Sequence, residues 1–140
     1  AQVYRSIGNC SSCHILNGEG FGIGPELSNV GQRRTAAYLR RSVTSPEADQ
    51  PRLVDRFRGS LQAFLTVRIV SEIGTYEGMR INEDAFTLQM RDMAGEIYSF
   101  NKSDLISYEK VEGHSLMPGY NSVLNEKQID DVVSYLMSLK

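Results

Sequence analysis

The run CSSCH at residues 10–14 constrains this chain more than any other stretch. Two cysteines that are two residues apart and directly followed by histidine form the pattern by which proteins attach haem covalently. The thiols of Cys10 and Cys13 can add across the two vinyl groups of a haem, which holds the imidazole of His14 against one face of the iron. Haem iron accepts such a neutral imidazole as an axial ligand. We therefore predict one covalently bound haem c with His14 as a ligand.

Three other interpretations of the cysteines fit less well. The chain has only two cysteines and two histidines. A disulfide between Cys10 and Cys13 would close a very short loop and stabilise little. A thioredoxin-like pair expects a preceding strand, which residues 1–9 do not predict. Zinc binding by both cysteines, His14 and His114 is a further alternative, but their spacing does not match that of zinc fingers.

Length and charge restrict the class of protein. A chain of 140 residues predicts a single domain over residues 1–140. The formal net charge of -2 gives no basic footprint for nucleic acid, and no apolar run is long enough to span a membrane. The chain begins without a signal-peptide pattern. Since haem c is attached outside the bacterial cytoplasm, we expect a periplasmic or otherwise extracytoplasmic protein whose signal peptide has been removed.

Helical patterns flank the centre of the chain. Residues 1–9 predict a short helix that must pack on another element to be stable. Thr35 can cap a helix over Ala36–Thr44 that ends before Pro46. Asn125, as a cap with a capping box, begins a terminal helix with apolar residues at helical spacing.

The pattern changes to a period of two after residue 64. Alternation in residues 64–70 and 86–91, a segment at 96–100 after the turn Asp92-Met93-Ala94-Gly95, and weaker segments at 76–82 and 106–111 predict three to five strands. We expect a small antiparallel sheet inserted at about residues 64–111. Leu65, Val67 and Ile69 share one face of their strand, and Phe86, Leu88 and Met90 share one face of theirs. Residues 47–60 are polar and predict a surface loop.

A methionine follows the predicted sheet. Ferrous haem accepts a soft thioether ligand, and Met117 is followed by Pro118 and a turn. Met79, Met90, Met93 and Met137 fit packing roles in the sheet or the last helix better. His114 is the second choice for a ligand, although a hydrogen-bonded loop histidine is the simpler interpretation.

Together with the glycine-rich segment 18–24 and Gly24-Pro25-Glu26-Leu27, the attachment motif resembles class I c-type cytochromes. The resemblance implies an α+β chain: a helical cytochrome c fold, with crossing terminal helices and haem between them, and the sheet inserted before the distal methionine loop. It implies roles for several residues around the haem. The Pro25 carbonyl would accept a hydrogen bond from His14, and Leu27 would pack on the haem. Arg33 or Arg34 would contact a propionate, and Met117 would be the sixth ligand.

The predicted insertion has a resemblance of its own. Gly74-x-x-x-Gly78, Asn82-Glu83-Asp84 and Leu88-x-x-x-Asp92-x-x-Gly95 look like an insert of bacterial monohaem domains, which occur alone or fused to dehydrogenase modules. Such a sheet could serve as a docking surface, a haem cover or a dimer edge. A structural role is the default, because an exposed sheet edge must be covered or paired.

The favoured function is one-electron transfer, with Fe(III)/Fe(II) cycling of one haem between His14 and Met117. The expected partner is a redox protein such as a dehydrogenase, terminal oxidase or reductase, met through a small transient interface. The alternative is a haem enzyme or gas sensor with an open or labile sixth site, in which His114 would act as a distal acid or base. A third interpretation, compatible with the first, is an interaction module whose sheet docks onto a dehydrogenase.

Overall fold

The computed structural model describes residues 1–49 and 64–140. The chain divides into two compact units, one formed by Ala1–Asp49 with Met117–Lys140 and the other by Gln50–Leu116. Within the described residues the first unit contains four α-helices and the second a five-stranded antiparallel sheet. The predicted α+β class is therefore confirmed. Of the loop predicted at residues 47–60, residues 50–60 lie outside the described residues, and Pro46–Asp49 forms a 3-10 helix.

The helices of the first unit are α1 (Gln2–Arg5), α2 (Val30–Arg33), α3 (Ala36–Thr44) and α4 (Glu126–Ser138). Helix α3 has the predicted bounds, and the hydroxyl of its cap Thr35 accepts a hydrogen bond from the Tyr38 amide. Helix α1 ends earlier than predicted, because the backbone leaves the helical conformation at Ser6 (φ -104°, ψ -104°). Helix α2 was not predicted.

Helix α4 begins at the predicted capping box. The side chain of Asn125 accepts a hydrogen bond from the Gln128 amide at 3.0 Å, and the Gln128 side chain accepts one from the Asn125 amide at 2.9 Å. These two bonds satisfy amides that a helix start would leave without partners. The guanidinium of Arg40 on α3 then binds both Glu126 and Asp130 on α4. Helices α3 and α4 are thus joined by polar contacts as well as apolar packing.

The terminal helices of this unit pack together, as the resemblance implied. Tyr4 of α1 is 1% exposed, and its ring meets Tyr135 of α4 edge to face with 5.4 Å between centroids. Burial of two large aromatic side chains in this geometry stabilises the contact beyond the area buried. The same core cluster contains other buried residues from α2, α3, α4 and the loops: Leu16, Leu27, Val30, Leu39, Val43, Leu124, Ile129, Val132, Val133 and Leu136.

The second unit holds five strands: β1 (Thr66–Ser71), β2 (Gly74–Glu83), β3 (Thr87–Arg91), β4 (Ile97–Asn101) and β5 (Leu105–Val111). Their order is β4-β3-β2-β1-β5, and every pairing is antiparallel. Sequential strands often pair, yet β5 pairs with β1 and not with β4. The strand count is the upper end of the predicted range.

The connection between β4 and β5 forces the sheet to curl. These strands are the two edges, but only the 3-10 helix Lys102–Asp104 separates them in sequence. Four strand spacings in a flat sheet would be about 19 Å, whereas four residue steps reach at most about 14 Å. The edges must therefore approach each other at this end, as they do in barrel-like sheets.

The curled sheet encloses its own apolar core. Val67 and Ile69 of β1 and Leu88 and Met90 of β3 are each 0% exposed, which confirms the predicted inward face of both strands. Phe86 was predicted to share this face but is 79% exposed. That prediction was wrong because Phe86 lies in the turn before β3, where the Asp84 carboxylate accepts hydrogen bonds from the Phe86 and Thr87 amides and redirects the chain.

A half-buried ionic cluster joins separate strands of this unit. The carboxylate of Glu83, at the end of β2, pairs with Arg80 at 2.8 Å, Lys102 at 2.9 Å and Lys110 at 2.9 Å. Burial alone would raise the pKa of Glu83, but hydrogen bonds from Lys102, Lys110 and Arg80 outweigh it and lower the pKa to about 2. The cluster therefore connects β2, the β4–β5 connection and β5 through one charged carboxylate.

Candidate haem-binding site

The attachment motif forms a tight, well-bonded turn in the first unit. Cys10–Ser12 is a 3-10 helix, and the amide of His14 donates to the Cys10 carbonyl at 2.9 Å. Both cysteines are free thiols and half-buried. Burial raises the pKa of the Cys10 thiol to about 11. The turn thus presents two thiols, one at each of its ends, immediately before the histidine.

The imidazole of His14 is buried and oriented. Its Nδ1 lies 2.7 Å from the carbonyl oxygen of Pro25, and the side chain is only 9% exposed. Burial lowers the pKa of His14, with an opposing contribution from the Pro25 carbonyl, so the ring is neutral at pH 7. A neutral ring that donates through Nδ1 carries its lone pair on Nε2. Nε2 is therefore the atom available to an iron.

Two glycines of the segment 18–24 lie against His14 itself. A Cβ at Gly24 would stand 2.6 Å from Cε1 of the His14 ring, and a Cβ at Gly20, where φ is +121°, would stand 2.1 Å from the His14 carbonyl oxygen. Neither position has room for a side chain. These two glycines therefore let the backbone approach the histidine closely.

Backbone hydrogen bonds fix the segment that carries Pro25. The Gly24 amide donates to the Cys13 carbonyl at 2.8 Å, and the Leu27 amide donates to the Ile15 carbonyl at 2.9 Å. These bonds flank Pro25 on both sides, so its carbonyl is held in line with Nδ1 of His14. Leu27 belongs to the buried core cluster.

Met117 lies in the same unit as the attachment motif. It is half-buried and packs against the core cluster of the first unit. Met79, Met90 and Met93 belong to the sheet unit, where Met90 is fully buried. Met137 lies on α4 and packs on the core. The four competing methionines thus occupy the kinds of position that the sequence predicted for them.

His114 lies in the sheet unit. Its Nε2 is 3.8 Å from the Glu77 carboxylate, and its carbonyl accepts a 3.3 Å hydrogen bond from the hydroxyl of the buried Thr66. These contacts match the interpretation of a loop histidine with polar partners.

The two candidate arginines have other contacts. Arg33 donates from Nη2 to the Glu26 carbonyl at 2.9 Å, one residue from Pro25. The guanidinium of Arg34 lies 4.8 Å from the centroid of the Tyr38 ring. Binding of a haem propionate by either arginine stays a prediction.

Two tyrosines of this unit were not identified as site residues. The phenol of Tyr120 donates to the Gly8 carbonyl at 2.6 Å, and the buried hydroxyl of Tyr4 has no hydrogen-bond partner among the described residues. Burial raises the pKa of Tyr4 to about 12, with a smaller contribution from Cys10. In the sequence, Tyr120 could have been identified because it directly follows Met117-Pro118-Gly119.

The donor set fits a haem c. Two thiols for the vinyl groups precede a neutral imidazole with a free Nε2, and a thioether belongs to the same unit. Across residues 1–49 and 64–140, no three His, Cys, Asp or Glu side chains converge as a metal-binding cluster would require. In the same residues no helix is long and apolar enough to cross a membrane.

Comparison with known proteins supports the same cofactor. Residues 1–67 match the family model described as Cytochrome c. No curated protein matches the chain. Proteins of the matched family carry electrons through haem, and the two cysteines with the adjacent histidine imply that the haem is covalently bound. The family match and the CSSCH motif together show a cytochrome c domain at residues 1–67, consistent with the resemblance to class I c-type cytochromes.

Proposed function

We propose that this protein is a one-electron carrier with a single haem c, bound through Cys10 and Cys13 and ligated by His14 and Met117. The observation that carries the proposal is the buried, neutral His14, whose Nδ1 is anchored on Pro25 directly after two free thiols. When bound, the haem supplies an iron that takes up and releases one electron. The chain supplies the ligands, their orientation and an apolar surrounding.

The Pro25 carbonyl has a defined part in this function. A hydrogen bond from Nδ1 fixes the orientation and tautomer of a ligating imidazole and makes it a stronger donor. The bond is 2.7 Å long and flanked by two backbone hydrogen bonds, so the ring would keep its orientation when a bound iron changes oxidation state. Little movement of the ligands on electron transfer is what a carrier requires.

We propose Met117 as the sixth ligand because its thioether sulfur is a suitable ligand for haem iron and because it lies in the same unit as His14. A thioether opposite imidazole raises the potential of haem iron relative to two nitrogen ligands. Met117 packs beside the core that also buries Leu27, whereas His114 belongs to the sheet unit. Ligation by both His14 and Met117 would leave a bound haem iron without an open position for a substrate.

We further propose an extracytoplasmic location and a protein redox partner, such as a dehydrogenase or a terminal oxidase or reductase. The support is the attachment motif, because haem c is attached outside the bacterial cytoplasm, and the cytochrome c match.

Optical spectra of the oxidised and reduced protein test the ligation. We expect a low-spin ferric spectrum with a sulfur-to-iron charge-transfer band, and a ferrous form that binds carbon monoxide slowly. A high-spin ferric spectrum with rapid carbon monoxide binding would favour the haem enzyme or gas sensor. Retention of the charge-transfer band in Met117→Ala would reassign the sixth ligand.

A further inference from the structure

Tyr120 connects the methionine segment with the attachment segment. It begins the 3-10 helix Tyr120–Ser122, three residues after Met117. Its half-buried ring packs on the core cluster, and its hydroxyl donates a 2.6 Å hydrogen bond to the carbonyl of Gly8. The two residues are 112 positions apart in sequence, so this bond joins opposite ends of the chain within one unit.

The acceptor of this bond, the Gly8 carbonyl, lies in a backbone segment that is itself hydrogen-bonded. The Gly8 amide donates to the Val3 carbonyl at 2.9 Å, which holds Gly8 on α1. Gly8 also stands two residues before Cys10, at the entrance to the hydrogen-bonded turn that ends in His14. A Cβ at Gly8 would lie 2.8 Å from the Val3 carbonyl oxygen, so Gly8 packs against α1 with no room for a side chain.

The donor end is equally constrained. The Tyr120 carbonyl accepts hydrogen bonds from the amides of Leu124 at 2.8 Å and Val123 at 3.0 Å, and Leu124 is buried in the core. On the other side, a Cβ at Gly119 would stand 3.1 Å from the Thr44 carbonyl oxygen at the end of α3. Tyr120 is therefore held on both sides, and only Pro118 and Gly119 separate it from Met117.

Haem attachment makes the phenol more important for this contact. In the free-thiol form, Cys10 Sγ lies 3.6 Å from the same Gly8 carbonyl and can donate to it weakly. A thioether has no S–H and cannot donate. After attachment, the Tyr120 hydroxyl would still donate its hydrogen bond to the Gly8 carbonyl.

We infer that Tyr120 is a positioning residue for Met117. Its hydrogen bond ties the segment that supplies the sixth ligand to the segment that supplies the thioethers and His14. The inference rests on the proposed ligation by Met117. Loss of the bond leaves the thioether in place but lets its segment move, so an external ligand displaces the sulfur more easily.

The test is displacement of the thioether by added imidazole in the ferric holoprotein. Tyr120→Phe keeps the ring and removes the hydroxyl, and we expect imidazole to bind roughly threefold to tenfold more tightly, the effect of one neutral hydrogen bond. Tyr135→Phe is the matched control, because Tyr135 packs edge to face on Tyr4 in the same unit. It should leave imidazole binding at the wild-type value.

A second background separates positioning from general loosening. In Met117→Ala there is no sulfur to displace, so adding Tyr120→Phe should not change imidazole binding. An equal effect of Tyr120→Phe in both backgrounds, or no effect in the wild-type background, overturns the inference while leaving Met117 ligation intact. Absence of the charge-transfer band from the wild-type protein overturns the proposed ligation, and the role of Tyr120 with it.

Discussion

Nδ1 of His14 and the carbonyl oxygen of Pro25 lie 2.7 Å apart. This contact determines which nitrogen of a buried, neutral imidazole is available for an iron. It depends on the close approach of the Gly24 backbone to the His14 ring, and on the backbone hydrogen bonds from the Gly24 amide to the Cys13 carbonyl and from the Leu27 amide to the Ile15 carbonyl. A local glycine-proline pattern thereby controls the chemistry of a residue that precedes it by eleven positions.

Gly24→Ala should disturb the imidazole directly. The added Cβ would stand 2.6 Å from Cε1 of His14, so ring or backbone must shift at a cost of about 1–3 kcal/mol in unfolding free energy. We expect a reduced yield of attached haem and an altered low-spin spectrum in the fraction that is loaded. Absorption spectra and haem content per chain measure both effects.

Gly18→Ala is the control for Gly24→Ala. A Cβ at Gly18 would meet nothing within 4 Å, but the residue has a φ of +84°. The left-handed conformation costs a residue with a side chain about 1–2 kcal/mol. Stability should therefore fall by a similar amount while the haem spectrum stays that of the wild type. An equal spectral change in both variants would contradict the assigned contact with His14.

Met117→Ala should remove the sulfur-to-iron charge-transfer band, give high-spin ferric iron and lower the reduction potential. The reason is that a weak water ligand, or none, replaces the thioether that favours ferrous iron. Spectroscopy and potentiometric titration measure these changes. Met93→Ala is the control, since Met93 is 48% exposed in the sheet unit, and it should change neither spectrum nor potential.

Glu83→Gln should destabilise the sheet unit by about 1–3 kcal/mol at pH 7, the value of hydrogen bonds to a charged group. The pKa of Glu83 is lowered from 4.5 to about 2 in the folded protein. The cluster therefore stabilises the fold fully above pH 4.5, and this contribution is lost as the pH falls towards about 2. Denaturant unfolding at a series of pH values should show the difference between wild type and variant shrinking over that range.

Glu109→Gln provides the comparison for Glu83→Gln. The carboxylate of Glu109 pairs with Arg68 at 2.9 Å, but its side chain is 60% exposed. Exposed pairs of this kind contribute about 0–1 kcal/mol. If Glu109→Gln lowered the free energy of unfolding as much as Glu83→Gln does, the Glu83 cluster would have no special role in stability.

Local patterns predicted the parts of this fold that local physics determines. The caps at Thr35 and Asn125 gave the starts of α3 and α4, because a capping residue acts within one helical turn. The two-residue alternation gave the buried face of β1, since alternate side chains on a strand point the same way. The short helix α2 carried no such signal.

Contacts between distant segments were beyond local patterns. The pairing of β5 with β1, and the bond from Tyr120 to Gly8, follow from how the chain curls and returns. Gly31 is another example, since its Cβ would stand 2.4 Å from the Met137 carbonyl oxygen at the end of α4. For the candidate site, the motif gave Cys10, Cys13 and His14 by residue type alone and the resemblance gave Pro25, whereas the contact of Tyr120 with Gly8 depends on tertiary packing.

We propose that one haem is attached covalently through Cys10 and Cys13. The most direct measurement is the alkaline pyridine-haem spectrum of the reduced protein after denaturation and acid extraction, with Cys10→Ala/Cys13→Ala as the comparison. We predict one haem per chain that stays with the polypeptide, a spectrum characteristic of two thioether bonds, and loss of both in the double variant. Haem that is extracted from the wild-type protein by acid, or that is still retained after both cysteines are replaced, would contradict the claim.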